Sequence, residues 1–185
     1  MSSASAFFSR WRVRLSYPLA ILILWSARPS PRSILLAIPI GALGLLVRAL
    51  AAGHLHKQEV LTMSGPYAYT RNPLYLGSVL LAAAAAVATY SWISAAILCV
   101  YFALFYSIVM RREEEELRQH HGAAFEQYAE AVPLFFPRLT RAGLSPDGRA
   151  AFSFAQYKKN REYRAAFGFA VLLGLLLLIW WLRQR

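Results

Sequence analysis

LYLGSVLLAAAAAVATYSWISAAILCVYFALFYSIVM, residues 74–110, is a run of 37 residues with neither a charge nor a proline. As one helix it would extend roughly 55 Å at about 1.5 Å per residue. The hydrocarbon core of a bilayer is only about 30 Å thick. The run must therefore fold back on itself, and Thr89-Tyr90-Ser91 is the weakest point for a turn. The five alanines at 82–86 suit close packing between two membrane helices. In such a hairpin both ends, and the polar residues beside them, face the same side.

Working outward, the same logic finds three more apolar blocks. Leu15 to Ala27 is the first, behind a basic and aromatic segment over residues 1–14. A cleaved signal peptide competes for this block, but Trp25-Ser26-Ala27 puts a bulky side chain where cleavage needs a small one. A retained first span is the preferred reading. Arg28-Pro-Ser-Pro-Arg32 breaks the chain before a second span, Ser33 to Ala52. Arg48, near the end of that span, is expected to snorkel to the surface. Ala165 to Leu182 is the last block.

The composition agrees with this division. Hydrophobic residues make up 58% of the 185 residues and charged ones only 16%. The sequence thus predicts a single all-α integral membrane domain with about five transmembrane helices. The net charge of +11 reads as basic loops against anionic headgroups rather than as a nucleic-acid surface. With the amino terminus inside, all but Arg28, Arg32, Arg183 and Arg185 of the 20 Lys and Arg residues fall on the inner side. That asymmetry predicts a multi-pass protein with both ends of the hairpin at the cytoplasmic face. Cys99, the single cysteine, has no partner for a disulfide.

Two polar stretches flank the hairpin. Before it comes SGPYAYTRNPLYLG, Ser64 to Gly77. Gly65-Pro66 marks a turn, Asn72-Pro73 has the form of a helix N-cap followed by proline at the first helical position, and Tyr67, Tyr69 and Tyr75 fit an interfacial aromatic belt. Arg71 stands apart, because a guanidinium among aromatics at a helix start can grip a carboxylate or phosphate bidentately.

After the hairpin comes Arg111 to Val132, where Leu117, His121, Ala124, Phe125, Tyr128 and Val132 recur at helical spacing. An amphipathic cytoplasmic surface helix, or two, is expected there, ended by Pro133 and Pro137. Glu113 to Glu116 would ordinarily be a solvated face, yet the hairpin brings it near Arg71. His54 and His56 lack an acidic or cysteine partner at ligand spacing, so no metal site is expected. His120-His121 reads as helix packing and surface. No phosphate-cradling glycine loop, nucleophile elbow or dinucleotide fingerprint is present.

Three pieces together resemble the isoprenylcysteine carboxyl methyltransferase family and its relatives, the phospholipid N-methyltransferases. They are Ala52-Gly53 followed by LTMSGPYAYTRNPLYLG from Leu61 to Gly77, the pair Glu113-Glu114 with Leu117, and Gly122, Phe125, Tyr128 and Val132-Pro133. Their order and spacing agree over residues 45–137; the loop and final span over 138–185 lie outside the shared pattern. The resemblance implies an S-adenosylmethionine-dependent methyltransferase with a lipid or prenylated small-molecule acceptor in the membrane, an isoprenylcysteine carboxyl O-methyltransferase-like activity being the preferred reading and phospholipid N-methylation the alternative. It further implies cofactor contacts from Gly65, Tyr67, Tyr69, Arg71, Asn72, Pro73, Tyr75, Gly77, Glu113 and Glu114, with Arg71 and Glu114 central to catalysis. Asn72 stands where the family usually has histidine. A membrane reductase using NADPH and a scaffold without activity are the competing classes.

Overall fold

A computed structural model describes residues 17–56, 60–143 and 151–185; the basic segment at 1–14 and the Pro146–Gly148 loop signal lie outside these. Every regular element among the described residues is helical. They are α1 (Tyr17–Ser26), α2 (Pro31–His54), a single 3-10 turn (Gly65–Ala68), α3 (Pro73–Thr89), α4 (Trp92–His121), α5 (Ala123–Ala131), α6 (Phe154–Lys159) and α7 (Tyr163–Leu182).

The hairpin forms where the sequence places it. Tyr90 takes a left-handed conformation (φ 47°) and ends α3, and the Ser91 hydroxyl accepts from the Ser94 amide to start α4. α2 begins with a reciprocal cap between Ser30 and Ser33 and with Pro31 in the first turn, where its missing N–H costs nothing. Three helices, α2, α4 and α7, are long and apolar enough to cross a membrane. That is fewer than the five expected: α3 has 17 residues and α1 ten described ones. At about 1.5 Å per residue α3 reaches only about 25 Å.

The helices assemble through small residues and polar caps. α2 and α3 cross where Gly44 and Gly77 oppose each other: a Cβ on Gly77 would lie 2.8 Å from the Gly44 carbonyl oxygen. Ala27, Ile34, Ala37, Ala84, Ala88 and Leu176 fill the core between α2, α3 and α7. Meanwhile Leu35, Leu36, Leu43, Val100, Leu104 and Phe167 stay exposed on the outer faces. Such a surface is costly in water and natural in lipid.

One end gathers Arg28, whose amide donates to the Thr89 carbonyl at 2.7 Å, and Arg183, whose guanidinium donates to the Ala27 carbonyl. The other end gathers the end of α2, the 3-10 turn, the start of α3, α5, α6 and the start of α7. There α6 satisfies carbonyls that α2 leaves open: Asn160 Nδ2 donates to Ala52 and Leu55, and the Ser153 amide to Gly53.

Two expectations need correction. The surface helix does not begin at Arg111, because α4 continues unbroken for 30 residues to His121. The break comes at Gly122, whose φ of +52° suits glycine. Phe125, Tyr128 and Val132 are buried as the spacing predicted, but Leu117 on the α4 extension is exposed. Arg48 does not snorkel either. It turns inward to pair with Glu162 and donates to Ser78 Oγ and to the Leu74 carbonyl.

Candidate functional site

The loop from Ser64 to Asn72 is held from behind. Gly65 (φ +57°) lets it turn tightly against the His54 ring, where a Cβ would fall 2.6 Å from the imidazole. The segment from Tyr128 to Ala142 then runs along its back. The Tyr128 hydroxyl donates to the Tyr67 carbonyl at 2.8 Å, and the Arg71 amide donates to Pro133 O at 3.0 Å. Thr70 Oγ1 reaches the Phe135 carbonyl at 2.8 Å, and the Arg138 and Ala142 amides reach Tyr69 and Ala68. Phe125, Tyr128, Val132 and Ala142 form a separate small core beneath these bonds. The prolines that stop α5 thus expose the carbonyls that the loop uses.

Held this way, the loop projects Arg71 toward α4. Arg71 Nη1 lies 2.7 Å from Glu114 Oε1, and the two side chains are only 14% and 16% exposed. The guanidinium also sits 5.9 Å from the Phe125 ring centroid. The approach is close in distance but not aligned as a hydrogen bond: Arg71 Nε and Glu114 Oε1 are both buried without a hydrogen-bond partner. Orphaned polar atoms of this kind are costly to leave unsatisfied. Beside them the Tyr75 hydroxyl donates to Glu113 Oε1 at 2.6 Å, and its ring meets Tyr106 edge-on at 5.0 Å. The α4 extension matters here, since it carries both glutamates to the loop.

Burial pushes the Tyr67 and Tyr128 phenols well above their ordinary value. Arg71 opposes the shift at Tyr128, and Glu113 and Glu162 add to it at Tyr67. Both phenols stay neutral, and the Tyr128 hydroxyl acts as a donor.

Of the residues singled out by sequence, Arg71, Tyr75, Glu113 and Glu114 come together. Tyr67 is buried beside them, and Tyr69 is more than one-third exposed. Pro73 is fully buried at the start of α3. Asn72 does not cap α3 with its side chain; its Nδ2 donates to the Leu134 carbonyl at 3.0 Å. Gly77 faces Gly44 and Arg48 at the α2–α3 crossing, and Gly65 faces His54, so both glycines are spent on packing. No group of three or more His, Cys, Asp or Glu suited to a metal ion occurs among the described residues. Sequence reasoning missed the Arg48–Glu162 pair. A charge inside an apolar helix was the available signal for Arg48, but nothing marked Glu162 as its partner.

The orphaned atoms bear on a bound cofactor. An arginine and a carboxylate side by side, each with an unsatisfied atom, match a ligand end that carries both a carboxylate and an ammonium.

Residues 40–124 match the model of a family described as phospholipid methyltransferase, a segment that includes Arg48, Arg71, Glu113 and Glu114. The chain is also similar to the cobalt-zinc-cadmium resistance protein CzcN of Cupriavidus metallidurans, 33% identical over 138 residues. It has the same identity over the same length to the nickel-cobalt-cadmium resistance protein NccN of Alcaligenes xylosoxydans xylosoxydans. Each alignment covers 70% of this chain and only 63% or 64% of the relative. No solved structure matches.

Proposed function

We propose that the protein is a multi-pass membrane methyltransferase that uses S-adenosylmethionine and acts on a lipophilic acceptor. The observation that carries this reading is the buried Arg71–Glu114 pair with its two unsatisfied atoms. The match of residues 40–124 to the phospholipid methyltransferase model supports it.

In this reading Arg71 binds the carboxylate of the methionine end, and Glu114 accepts from its ammonium. The pair's mutual neutralisation is exchanged for two charge-assisted contacts to the ligand. Glu113, fixed by the Tyr75 hydroxyl, is placed for the ribose hydroxyls or the ammonium. The cofactor, when bound, supplies a methyl group activated on a sulfonium. What remains for the chain is positioning and exclusion of water. The Tyr128–Ala142 segment fixes Arg71 from behind, and the aromatic rings of Tyr75, Tyr106 and Phe102 line the side toward the hairpin.

Two acceptor classes follow from the chemistry. With a prenylated carboxylate, opposite charges cancel during transfer, which a dry boundary site favours. With a phospholipid amine, the positive charge persists; the description of the matching family favours this second reading. Arg28 and Arg183 lie at the end away from the pair, and in the topology read from the sequence all but four of the 20 Lys and Arg residues fall on the side of the pair, an excess that supports a site on the cytoplasmic face by the positive-inside rule.

Calorimetric titration with S-adenosylhomocysteine and with NADPH tests the reading. Saturable binding of the first is expected, lost in Arg71→Ala and Glu114→Ala. Binding of NADPH alone would overturn it.

A further inference from the structure

The segment that grips the Arg71 loop from behind carries side chains that the fold leaves unused. Residues 133–143, PLFFPRLTRAG, hold two arginines and no acid, and they follow the stretch that matches the methyltransferase family. Pro133, Leu134 and Phe135 spend their carbonyls on Arg71, Asn72 and Thr70. Their neighbours face out: Leu139 is 100% exposed and Phe136 80%. Arg138 is tied to the fold, its guanidinium donating to the Ala131 carbonyl. Arg141 is exposed and pairs with no acidic group among the described residues.

Scattered exposed apolar residues are ordinary, so position decides what these mean. From Trp92 to Met110 α4 rises roughly 28 Å at about 1.5 Å per residue. That nearly equals a hydrocarbon core of about 30 Å, so Arg111 marks the membrane boundary. The rest of α4 projects beyond it, and α5 turns back. Arg118 Nε meets Glu126 Oε1 at 2.6 Å, and the Phe125 ring lies 5.6 Å from Arg118 and 5.9 Å from Arg71. By Pro133 and Leu134 the chain is level again with Arg71 and Asn72, immediately ahead of α3. There α3 enters the apolar bundle. Phe136 and Leu139 thus lie at the depth where headgroups meet acyl chains, continuous with the lipid-facing surface of the helices. Apolar side chains flanked by cations suit that layer, and a cation there gains from anionic headgroups.

We propose that residues 134–141 form a membrane-surface contact in which Phe136 and Leu139 enter the interfacial layer and Arg141 meets anionic headgroups, and that this contact steadies the rear of the Arg71 loop. One short segment has both tasks, with carbonyls toward the loop and side chains toward lipid. A surface that holds the side chains limits the motion of the carbonyls, and ligand affinity at Arg71 comes to depend on headgroup charge. This coupling rests on the cofactor reading above; the contact itself does not.

The test uses the full chain in nanodiscs of phosphatidylcholine and of equal parts phosphatidylcholine and phosphatidylglycerol. With Cys99→Ser as background, a nitroxide is attached through Leu139→Cys or, as a water-facing control, through Gln127→Cys on the exposed side of α5. The label at position 139 is expected to meet dissolved oxygen more often than a water-soluble nickel chelate, and the label at 127 the reverse. Equal access of the nickel chelate to both labels would overturn the contact. Titration with S-adenosylhomocysteine then reads the coupling. Phosphatidylglycerol should raise wild-type affinity about five-fold, the equivalent of about 1 kcal/mol for one arginine at an anionic surface, and Arg141→Gln should abolish the gain. The double variant Phe136→Ser/Leu139→Ser should bind several-fold more weakly in both discs, yet unfold in micelles as wild type does, because both side chains are exposed. A wild-type affinity independent of lipid charge would overturn the coupling. Absence of binding in wild type would overturn methyl transfer and the coupling with it, while the label depth still decides the contact.

Discussion

Replacing Glu114 by Gln keeps the shape of the side chain and removes its charge, leaving the Arg71 guanidinium buried without a counter-ion. At 2.7 Å and an effective permittivity of about 20, the gross attraction is about 6 kcal/mol. Breaking one partner of a buried pair costs about 3–5 kcal/mol. Because each side chain keeps some exposure and the contact is not aligned as a hydrogen bond, the lower end applies, about 3 kcal/mol. Arg71→Met should cost a similar amount by stranding the carboxylate. The double variant leaves no stranded charge and should be no worse than either single, a coupling of about 3 kcal/mol. Reversible unfolding in mixed micelles measures all four proteins. Repeating it with S-adenosylhomocysteine at about a hundred times its Kd should raise the wild type by about 2.7 kcal/mol and leave the double variant unmoved. Additive single effects, with a coupling under about 0.5 kcal/mol, would refute the electrostatic reasoning. Equal stabilisation of wild type and double variant would refute the assignment of the pair to the ligand.

Tyr128→Phe removes one oxygen atom and strands the buried Tyr67 carbonyl; a loss of about 1–3 kcal/mol is expected, read by the same unfolding assay. Gly77→Ala drives a Cβ to within 2.8 Å of the Gly44 carbonyl oxygen and should cost about 1–3 kcal/mol, whereas Gly168→Ala, with nothing within 4 Å, should be neutral or stabilising. Alkaline titration gives a fourth outcome. The Tyr67 and Tyr128 phenols are raised in the folded protein, so their contribution is fully present below the unfolded value of about 10. It is lost as pH rises from there toward the folded values, since the unfolded chain releases those protons first. Tyrosinate absorbance should therefore lag in two phenols until unfolding begins, and Tyr128→Phe should flatten the stability loss above that pH.

The hairpin was legible because its signal is one of length: 37 uncharged residues exceed any bilayer. The convergence of Arg71 with Glu113 and Glu114 follows from the same arithmetic, since a hairpin returns its ends to one side. Periodicity misled where two helices share a register of apolar residues. Leu117 and Phe125 fit one stripe on paper, but Gly122 at positive φ separates them, and only Phe125 is buried. Asn72-Pro73 has the composition of a cap, yet the Asn72 side chain turns to donate from Nδ2 to the carbonyls exposed by Pro133 and its neighbours instead of accepting from the helix N–H groups. Those acceptors lie more than 60 residues away, so no local pattern could announce them. Arg48 is a similar case, since its partner Glu162 follows it by 114 residues.

These long-range contacts also explain a division of labour in the arginine loop. Its Arg71 N–H and the side chains of Thr70 and Asn72 donate backward into carbonyls of the segment after α5, and its Ala68 and Tyr69 carbonyls accept from the Ala142 and Arg138 amides there. Its charge points forward, at α4. A loop gripped from behind, through its backbone and through Thr70 and Asn72, needs no particular side chain at the front, so the front is free to hold a charge that the fold itself does not satisfy. The unsatisfied Arg71 Nε is then a consequence of construction rather than a flaw in it: the rigid rear keeps the guanidinium from swinging out to water, where it would lose its hold on a ligand. Loosening the rear should therefore weaken ligand binding without touching any group at the front. Tyr128→Phe separates these parts, because Tyr128 donates to the back of the loop and Arg71 and Glu114 keep every atom they present forward. S-adenosylhomocysteine affinity should fall several-fold in that variant, and an affinity equal to wild type alongside the expected loss of stability would show that the loop's rear and front are independent.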